Sequence, residues 1–115
     1  MSAFTVAFSE LAPRDRYKLL CASVTPRPIA LVTSLSPDGV VNAAPFSFFN
    51  VFSEDPALIV LGLQHRPGNN PKDTTRNIAG AGEFVVNLVD EGMAEAMNIC
   101  AVDFPPEISE IDAAG

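Results

Sequence analysis

A β-hairpin pattern occupies residues 28–44, which contain Pro28-Ile-Ala-Leu-Val-Thr-Ser34, Ser36-Pro-Asp-Gly39 and Val40-Val-Asn-Ala-Ala44. The first and last segments are rich in β-branched and aliphatic residues, and the middle segment has the proline, aspartate and glycine that favour a tight turn. The aromatic stretch Ala43–Asn50 follows, and Pro45 within it predicts an edge strand or a bulge, because proline cannot donate to a neighbouring strand. These residues therefore predict two antiparallel strands.

Strands and turns dominate the rest of the chain as well. Ala57–Gln64 predicts a third strand and Glu83–Val89 a fourth. The 10 prolines fall mostly between apolar runs, and His65–Lys72 is a polar loop dense in turn-forming residues. This arrangement predicts a mostly β fold, a small antiparallel barrel with short peripheral helices.

Short helices are predicted around these strands. Pro13–Ser23 has apolar residues at the spacing of one helix face. Asp73 and Thr74 are favourable N-cap residues for a helix that ends near Ala79, and Asp90 is expected to cap a later helix. Apolar residues at helical spacing in that last helix are Met93, Ala96, Met97 and Cys100. We expect the cysteines and Met93 and Met97 to lie in the core, and no element is predicted in the tail, residues 103–115.

The composition limits the classes of function. The chain has 115 residues, 48% hydrophobic and 18% charged, which is enough for one folded domain over residues 1–115. Its net charge of −7 argues against binding a phosphate backbone through a general basic face. No apolar run approaches the ~20 residues of a membrane span, and two cysteines are too few for a disulfide framework. A soluble, intracellular (cytoplasmic) protein with free thiols is expected.

Several common catalytic sites are disfavoured by the residues available. The chain has one histidine, His65, and both a zinc site and a Ser-His-Asp triad would depend on it. No serine lies in a Gly-x-Ser-x-Gly turn, and Gly80-Ala-Gly82 precedes a strand, whereas a Rossmann fingerprint follows one. His65 is therefore interpreted as a solvated loop residue.

Polar residues interrupt the apolar strands at two places. Thr33, Ser34 and Asn42 form one set with Ser47 and Asn50, and hydroxyls and amides beside aromatic residues can bind a planar heteroaromatic ring. Lys72 lies just before a predicted helix N-terminus, followed by hydroxyl residues, which suits a phosphomonoester. Asp73 opposes an anion unless it caps the helix backbone. Taken singly, Ser47 and Asn50 are equally consistent with turn caps, and Lys72 with a solvated charge.

The motifs together resemble the flavin reductase-like, FMN-binding split-barrel family. The matching segments are Pro26-Arg-Pro-Ile-Ala-Leu-Val-Thr-Ser34, Asp38-Gly39, Asn42-Ala-Ala-Pro-Phe-Ser-Phe-Phe-Asn50, Asp55-Pro56, Lys72-Asp-Thr74, Asn77-Ile78 and Glu83-Phe-Val-Val-Asn-Leu88. The similarity runs from about residue 15 to the end. It is closest to the branch with flavoredoxin and the reductase components of flavin-dependent monooxygenases.

The resemblance implies an antiparallel Greek-key split barrel, a homodimer, and FMN as cofactor. The residues it places near the flavin ring are Thr33, Ser34, Leu35, Ser47, Phe48, Phe49 and Asn50, and those near the phosphate are Lys72, Asp73 and Thr74. Arg27 also lies in a matching motif, with its role left open. The implied activity is an NAD(P)H-dependent flavin reductase that serves a monooxygenase or another acceptor, with no catalytic side chain required.

Two other functions are compatible with the sequence. One is a non-catalytic FMN-binding or electron-carrier module, and the other is a structural domain that has lost the cofactor. The family pattern continues beyond the point where this chain ends, so the C-terminal part of the family domain is expected to be absent. Nicotinamide contacts in that part would then be missing, which makes FMN binding better supported than catalysis.

Overall fold

The structure, a computed structural model, describes residues 2–115 and has two antiparallel sheets with short helices around them. The strands are β1 (Ala30–Leu35), β2 (Val41–Phe46), β3 (Phe49–Glu54), β4 (Ala57–Leu61) and β5 (Val85–Leu88). The helices are α1 (Pro13–Ser23), α2 (Asp73–Ala81), α3 (Ala94–Cys100) and α4 (Glu110–Ala114). Single 3-10 turns lie at Phe8–Glu10 and Glu91–Met93.

The main sheet has the strand order β2-β1-β5, so β1 is paired on both sides. Ala30 lies opposite Phe46 on β2 and Leu88 on β5, and Ser34 lies opposite Asn42. Successive side chains of a strand point to opposite faces, and β1 is buried on both. Ala30 and Val32 join Phe46 in one core cluster, whereas Leu31 joins Ala43 and Cys100 in another.

Helices cover both faces of this sheet. Ile78 of α2 packs against the cluster that contains Val32, and α3 and α4 pack against the other cluster through Cys100 and Ala114. Helix α2 ends at Gly82, whose φ of 73° is the left-handed conformation that glycine adopts without strain. The main sheet and its helices therefore hold most of the buried apolar residues.

The second sheet is the β3–β4 hairpin, which packs much less. Its strands pair from Phe49 opposite Leu61 to the turn at Asp55-Pro56, with a bulge between Val51 and Ser53. Phe49 and Leu61 reach the main core, but Val51 is 67% exposed and Phe52 is 76% exposed. The radius of gyration is 16.3 Å, compared with about 13 Å for a compact domain of this length. The exposed hairpin contributes to this difference.

Most of the predicted elements are confirmed. The strand-rich antiparallel class, the first hairpin, α1 and the exposed position of His65 agree with the prediction. Pro45 lies on β2, an edge strand of the main sheet, as a residue without an N–H requires. Asp90 accepts a hydrogen bond from the Met93 N–H at 3.1 Å, which confirms its capping role.

Other predictions were wrong. A fifth strand, β3, was missed because its aromatic start was taken as the continuation of β2, and α4 was missed in the tail. Helix α1 buries no residue, so its apolar face does not form core, and Cys21 is only half-buried whereas Cys100 is buried. Strand β4 ends at Leu61, before Gln64. Among residues 2–115 no helix is both long enough and apolar enough to cross a membrane.

Candidate functional site

Eight of the ten residues predicted to bind a flavin line one of three cavities. Lys72, Asp73 and Thr74 line a cavity of about 280 Å³, and Ser47 and Phe48 line an adjoining one of about 140 Å³. The two cavities share Pro45, Phe46 and Lys72, so these predicted residues are brought together. Thr33, Ser34 and Leu35 line a different cavity of about 390 Å³.

The first of these, which we call the Lys72 cavity, lies between β2 and the start of α2. Its floor includes Asn42 and Phe46 of β2, and Lys72 precedes the helix as the N-cap residue. The Lys72 Nζ atom is 5.7 Å from the centroid of the Phe46 ring, a cation–π arrangement that holds the ammonium over the cavity wall. Among residues 2–115, no carboxylate forms an ion pair with Lys72.

Thr74 contributes a hydroxyl to the Lys72 cavity. The residue is only 1% exposed, and its Oγ1 accepts a hydrogen bond from the Asn42 Nδ2 atom at 2.9 Å. Because Asn42 donates, the hydroxyl proton of Thr74 can donate in turn to a ligand. None of the described side chains caps the first turn of α2, so the backbone N–H groups there add positive potential.

Asp73 does not have the role that was predicted for it. The N-cap residue is Lys72, and Asp73 is the first helical residue, so its carboxylate does not cap the backbone. Two guanidinium groups hold it instead, Arg66 at 3.1 Å and Arg76 at 3.4 Å. These cations offset its negative charge, which leaves the Lys72 ammonium able to attract an anion.

The loop before α2 places Arg66 in the same cavity. The Arg66 N–H donates to the Asn70 carbonyl at 2.8 Å, and Asn69 has a positive φ of 61°, so the loop turns back on itself. The Arg66 Nη2 atom then donates to Asp73 and, at 2.5 Å, to Asp103. These two hydrogen bonds raise the pKa of Arg66 above its usual value, and the one that Arg66 donates to Asp103 has the larger effect.

Glu110 of α4 also lines the Lys72 cavity. Its Oε2 atom accepts the Ala43 N–H on the free edge of β2 at 2.9 Å, and the residue is 6% exposed. The carboxylate thus takes the place of a neighbouring strand at this edge. Burial, and next the nearby charge of Glu110, raise the pKa of the Cys100 thiol.

The adjoining cavity has aromatic walls. Tyr17 of α1 lies 5.8 Å from Phe48 between ring centroids, and both rings face the cavity with Ser47. A Cβ atom at Gly62 would lie 2.9 Å from the Phe48 Cβ atom, so glycine is needed for the chain directly after β4 to approach Phe48 this closely. The neighbouring Cys21 side chain is the main cause that raises the pKa of the Tyr17 phenol.

Arg27, whose role the sequence left open, supports this aromatic wall. Its Nη1 atom donates to the carbonyl oxygens of Cys21 at 2.8 Å and Val24 at 2.6 Å, at the C-terminal end of α1. The guanidinium carbon lies 5.6 Å from the Phe48 ring centroid, and Nε is 3.4 Å from the Ser47 hydroxyl. Arg27 therefore fixes α1 against the Ser47-Phe48 bend.

The remaining predicted residues lie apart from the Lys72 cavity. Ser34 is 5% exposed and accepts a hydrogen bond from Asn77 at 3.2 Å, which ties α2 to β1. Thr33 accepts one from Asn87 of β5 at 3.3 Å. Phe49 packs on the core, and Asn50 is exposed with its Oδ1 accepting its neighbour's N–H. Neither Phe49 nor Asn50 lines one of the three cavities.

Four residues line these cavities but were not predicted from the sequence as site residues: Arg66, Tyr17, Asp103 and Glu110. Asn42 was singled out as a polar strand residue, and its contact with Thr74 now explains it. Arg66 and Asp103 are 37 positions apart in the sequence and meet only through folding. A polar loop directly before a lysine at a helix start was the one available signal for Arg66.

Similar proteins extend over most of this chain. An uncharacterized protein of Halalkalibacterium halodurans is 50% identical over 105 residues, which are 91% of this chain and 50% of that protein. The crystal structure of nitrilotriacetate monooxygenase component B from Bacillus cereus has a TM-score of 0.91 and 42% identity, covering 99% of this chain and 56% of that one. The Pseudomonas fluorescens 2-nitrobenzoate 2-nitroreductase NbaA has a TM-score of 0.83 and 48% identity, covering 97% and 52% respectively.

The chain spans about half the length of the curated relatives that it matches. The neighbouring structures show the split-barrel fold, in agreement with the antiparallel sheets and short helices described above. A family model described as "Flavin reductase like domain" matches residues 22–115, which include every cavity residue named above except Tyr17. The chain therefore belongs to the flavin reductase like domain family.

Proposed function

We propose that this chain binds FMN and acts as an NAD(P)H-dependent flavin reductase. The observation that carries the proposal is the Lys72 cavity, where an ammonium with no carboxylate partner in the described part of the chain lies beside a buried threonine hydroxyl and a helix start. Family membership supports flavin chemistry in general terms, and two similar structures are a monooxygenase component and a nitroreductase.

The donors in the Lys72 cavity suit a phosphomonoester. Lys72 supplies a full charge, Thr74 a hydroxyl proton, and α2 its first-turn N–H groups. Asp73 and Glu110 also line the cavity, but Asp73 is paired with two arginines and Glu110 with the Ala43 N–H. Neither carboxylate is therefore a free opposing charge.

The adjoining aromatic cavity suits the ring of the same cofactor. Phe48 and Tyr17 provide flat apolar walls, and the Ser47 hydroxyl can hydrogen-bond a ring heteroatom. The proposal also assigns flavin contacts outside this aromatic cavity to Phe49, Asn50 and, from β1, Thr33, Ser34 and Leu35. A bound flavin would accept two electrons as a hydride from the nicotinamide and pass them to an acceptor.

In this proposal the protein orients the ring and stabilises its charge, and no side chain acts as an acid or base. Phe48 is held by Arg27, Tyr17 and the close approach of Gly62, which restricts the ring position. Lys72 stays close to the Phe46 ring and keeps the phosphate end fixed. The residues thus position the cofactor for transfer without taking part in it.

The partners and location are part of the proposal too. A monooxygenase is the proposed electron acceptor, because a similar structure is the B component of one. A second copy of this chain is proposed to cover the apolar hairpin residues Val51, Phe52, Leu58, Ile59 and Val60, which are at least 45% exposed. Both cysteines are free, which suits a reducing cytoplasm.

An absorption spectrum tests the proposal directly. The protein is mixed with FMN, desalted, and then treated with NADH or NADPH without oxygen. A retained flavin band that bleaches is expected, and Lys72→Ala should weaken FMN binding by about tenfold or more, the effect of losing one charged hydrogen bond. Lys18→Ala on exposed α1 is the matched control. A retained band that does not bleach would indicate the carrier module, and no retained flavin would refute the proposal.

A further inference from the structure

The Lys72 cavity contains a second cation that neither the family match nor the sequence assigned to a ligand. Arg66 lines this cavity with Lys72, and its side chain is 29% exposed. Its Nη2 atom donates to both Asp73 and Asp103. Among residues 2–115 its Nε and Nη1 atoms have no hydrogen-bond acceptor, so part of the guanidinium is free to bind another group.

The two carboxylates on Arg66 are held very differently. Asp73 is 14% exposed, sits on the first turn of α2 and has a second arginine, Arg76. Asp103 is 73% exposed, and among residues 2–115 it is bound by Arg66 alone. An exposed ion pair contributes little to stability because water solvates both charges when it opens. Asp103 can therefore leave Arg66 at small cost, whereas Asp73 cannot.

The backbone around Asp103 also permits this exchange. Asp103 lies between α3 and α4, in a segment of turns that belongs to no strand or helix. Its movement would break no sheet pairing, and the neighbouring Glu110 anchor on Ala43 would stay in place. Asp103 is thus the one carboxylate of the Lys72 cavity that can be replaced by an incoming anion.

We propose that Arg66 is a second phosphate-binding residue of the Lys72 cavity and that Asp103 is its displaceable counter-ion. In the free protein Asp103 neutralises Arg66, and a phosphomonoester or diphosphate takes its place by bridging Arg66 and Lys72. The planar fork of arginine matches two phosphate oxygens, whereas lysine acts as a point charge. The inference rests on the proposed flavin function, because it names how the phosphate of that ligand is selected.

The charge balance of the cavity explains why the exchange favours a dianion. Arg66 and Lys72 face Asp73, Asp103 and Glu110, so the cavity carries one net negative charge while Asp103 is present. Removal of Asp103 makes the set neutral, and a doubly charged phosphate then gains from both cations. A ligand without phosphate gains nothing from the exchange, so selectivity for the phosphorylated ligand follows.

The test compares FMN with riboflavin, which has the same ring and no phosphate. The measured quantity is the ratio of the riboflavin Kd to the FMN Kd, from fluorescence titration. Arg66→Gln should lower this ratio by about tenfold or more, the effect of losing a hydrogen bond to a charged group. Asp103→Asn should raise it by up to about fivefold, since an exposed ion pair contributes at most about that factor.

Arg14→Gln is the matched control, because Arg14 is exposed on α1 and lines none of the three cavities. Its ratio should stay within about twofold of the parent, as expected for a surface change. If Arg66→Gln weakens FMN and riboflavin equally, Arg66 only supports the loop and the proposal is wrong. An unchanged ratio in Asp103→Asn would equally overturn the counter-ion role.

Pyrophosphate separates this inference from the proposed function. Calorimetric titration of the parent protein with pyrophosphate should show binding that Arg66→Gln reduces by about tenfold or more and Asp103→Asn strengthens. If pyrophosphate binds in this way but neither flavin does, the flavin proposal fails while the anion site stands. If flavins bind but pyrophosphate ignores both substitutions, the inference fails while the flavin proposal stands.

Discussion

The main sheet and the β3–β4 hairpin are built from similar residues but are buried to very different extents. Both are antiparallel, and β1 and β3 each have six residues. Strand β1 has a partner on each side and helices over both faces, whereas β3 pairs only with β4. Val32 is fully buried, and Phe52 is 76% exposed. Local sequence forms the strands, but the packing around them decides which side chains become core.

The candidate site lies where these two regions meet. The Lys72 cavity is floored by β2 of the main sheet, and the adjoining cavity is walled by Phe48, at the bend that leads into the hairpin. The well-packed main sheet therefore positions the charged groups, and the bend into the less buried hairpin positions the aromatic ring. Substitutions in each half should separate these contributions.

The largest expected difference is in stability. Phe46→Ala should lower the free energy of unfolding by about 3–5 kcal/mol, because it leaves a cavity beside Val32. Phe52→Ala removes the same ring from an exposed position and should cost about 0.5 kcal/mol or less. Urea unfolding of dilute protein measures both. Equal losses would mean that the hairpin is as well packed as the sheet.

The next effect concerns the proposed second copy on the hairpin. Phe52→Asp places a charge on the most exposed residue of the apolar set and should weaken dimer formation by about 2 kcal/mol or more, as for an aromatic interface anchor. Light scattering after gel filtration measures the mass against concentration. Glu10→Lys, on the exposed 3-10 turn far from the hairpin in sequence, serves as the charge-change control. A parent protein that stays monomeric at all concentrations would refute the dimer proposal.

Two adjacent threonines of α2 give a matched pair inside the main sheet region. Thr74→Val leaves the Asn42 amide without its acceptor and should cost about 1–3 kcal/mol. The buried Thr75 hydroxyl has no hydrogen-bond partner among the described residues. Thr75→Val should therefore be neutral or stabilising, since it removes an unsatisfied polar atom. Thermal unfolding distinguishes the two, and a larger loss in Thr75→Val would contradict the hydrogen-bond assignment.

The smallest effect is a pH dependence from Cys100. Burial raises the pKa of this thiol, so the protonated form is favoured in the folded state. The stability that this shift contributes is fully present below pH 9.0, the ordinary pKa of the thiol in the unfolded chain. It is lost as the pH rises through the raised pKa of the folded state. Unfolding free energies measured from pH 7 to about pH 10 should fall more in the parent than in Cys100→Ala. Identical pH profiles would show that Cys100 does not titrate differently on folding.

The two thiols extend the comparison to α1, which is also poorly buried. Cys100 is 5% exposed in the main core, and Cys21 is half-buried on α1, which buries no residue. At neutral pH an alkylating reagent should therefore modify Cys21 first, because only an exposed thiolate reacts. Mass spectrometry after partial labelling identifies the modified residue. Faster labelling of Cys100 would contradict the described packing.

The sequence predicted the local parts of the fold well. Apolar alternation and turn residues located β1 and β2, and the spacing of apolar residues located α1 and α3. It missed β3 because Pro45 and the aromatic residues after it gave one long extended pattern, whereas a bend at Ser47-Phe48 divides it. Helix α4 has only five residues, and it is anchored by Glu110 on β2 more than by its own periodicity.

The candidate site was predictable only where its residues are neighbours in the sequence. Lys72, Asp73 and Thr74 were found together because a helix start joins them. The Arg66 and Asp103 pair depends on two distant loops meeting, and no local pattern carries that information. Asp73 was misassigned as a cap because its partners, Arg66 and Arg76, cannot be inferred from capping preference.

The most direct test of the central claim is a crystal structure of the protein with FMN. The account predicts the phosphate within hydrogen-bonding distance of Lys72 and Thr74, with the ring against Phe48, and Asp103 displaced from Arg66. A phosphate bound elsewhere, or a Lys72 cavity that stays empty while FMN occupies another surface, would contradict it.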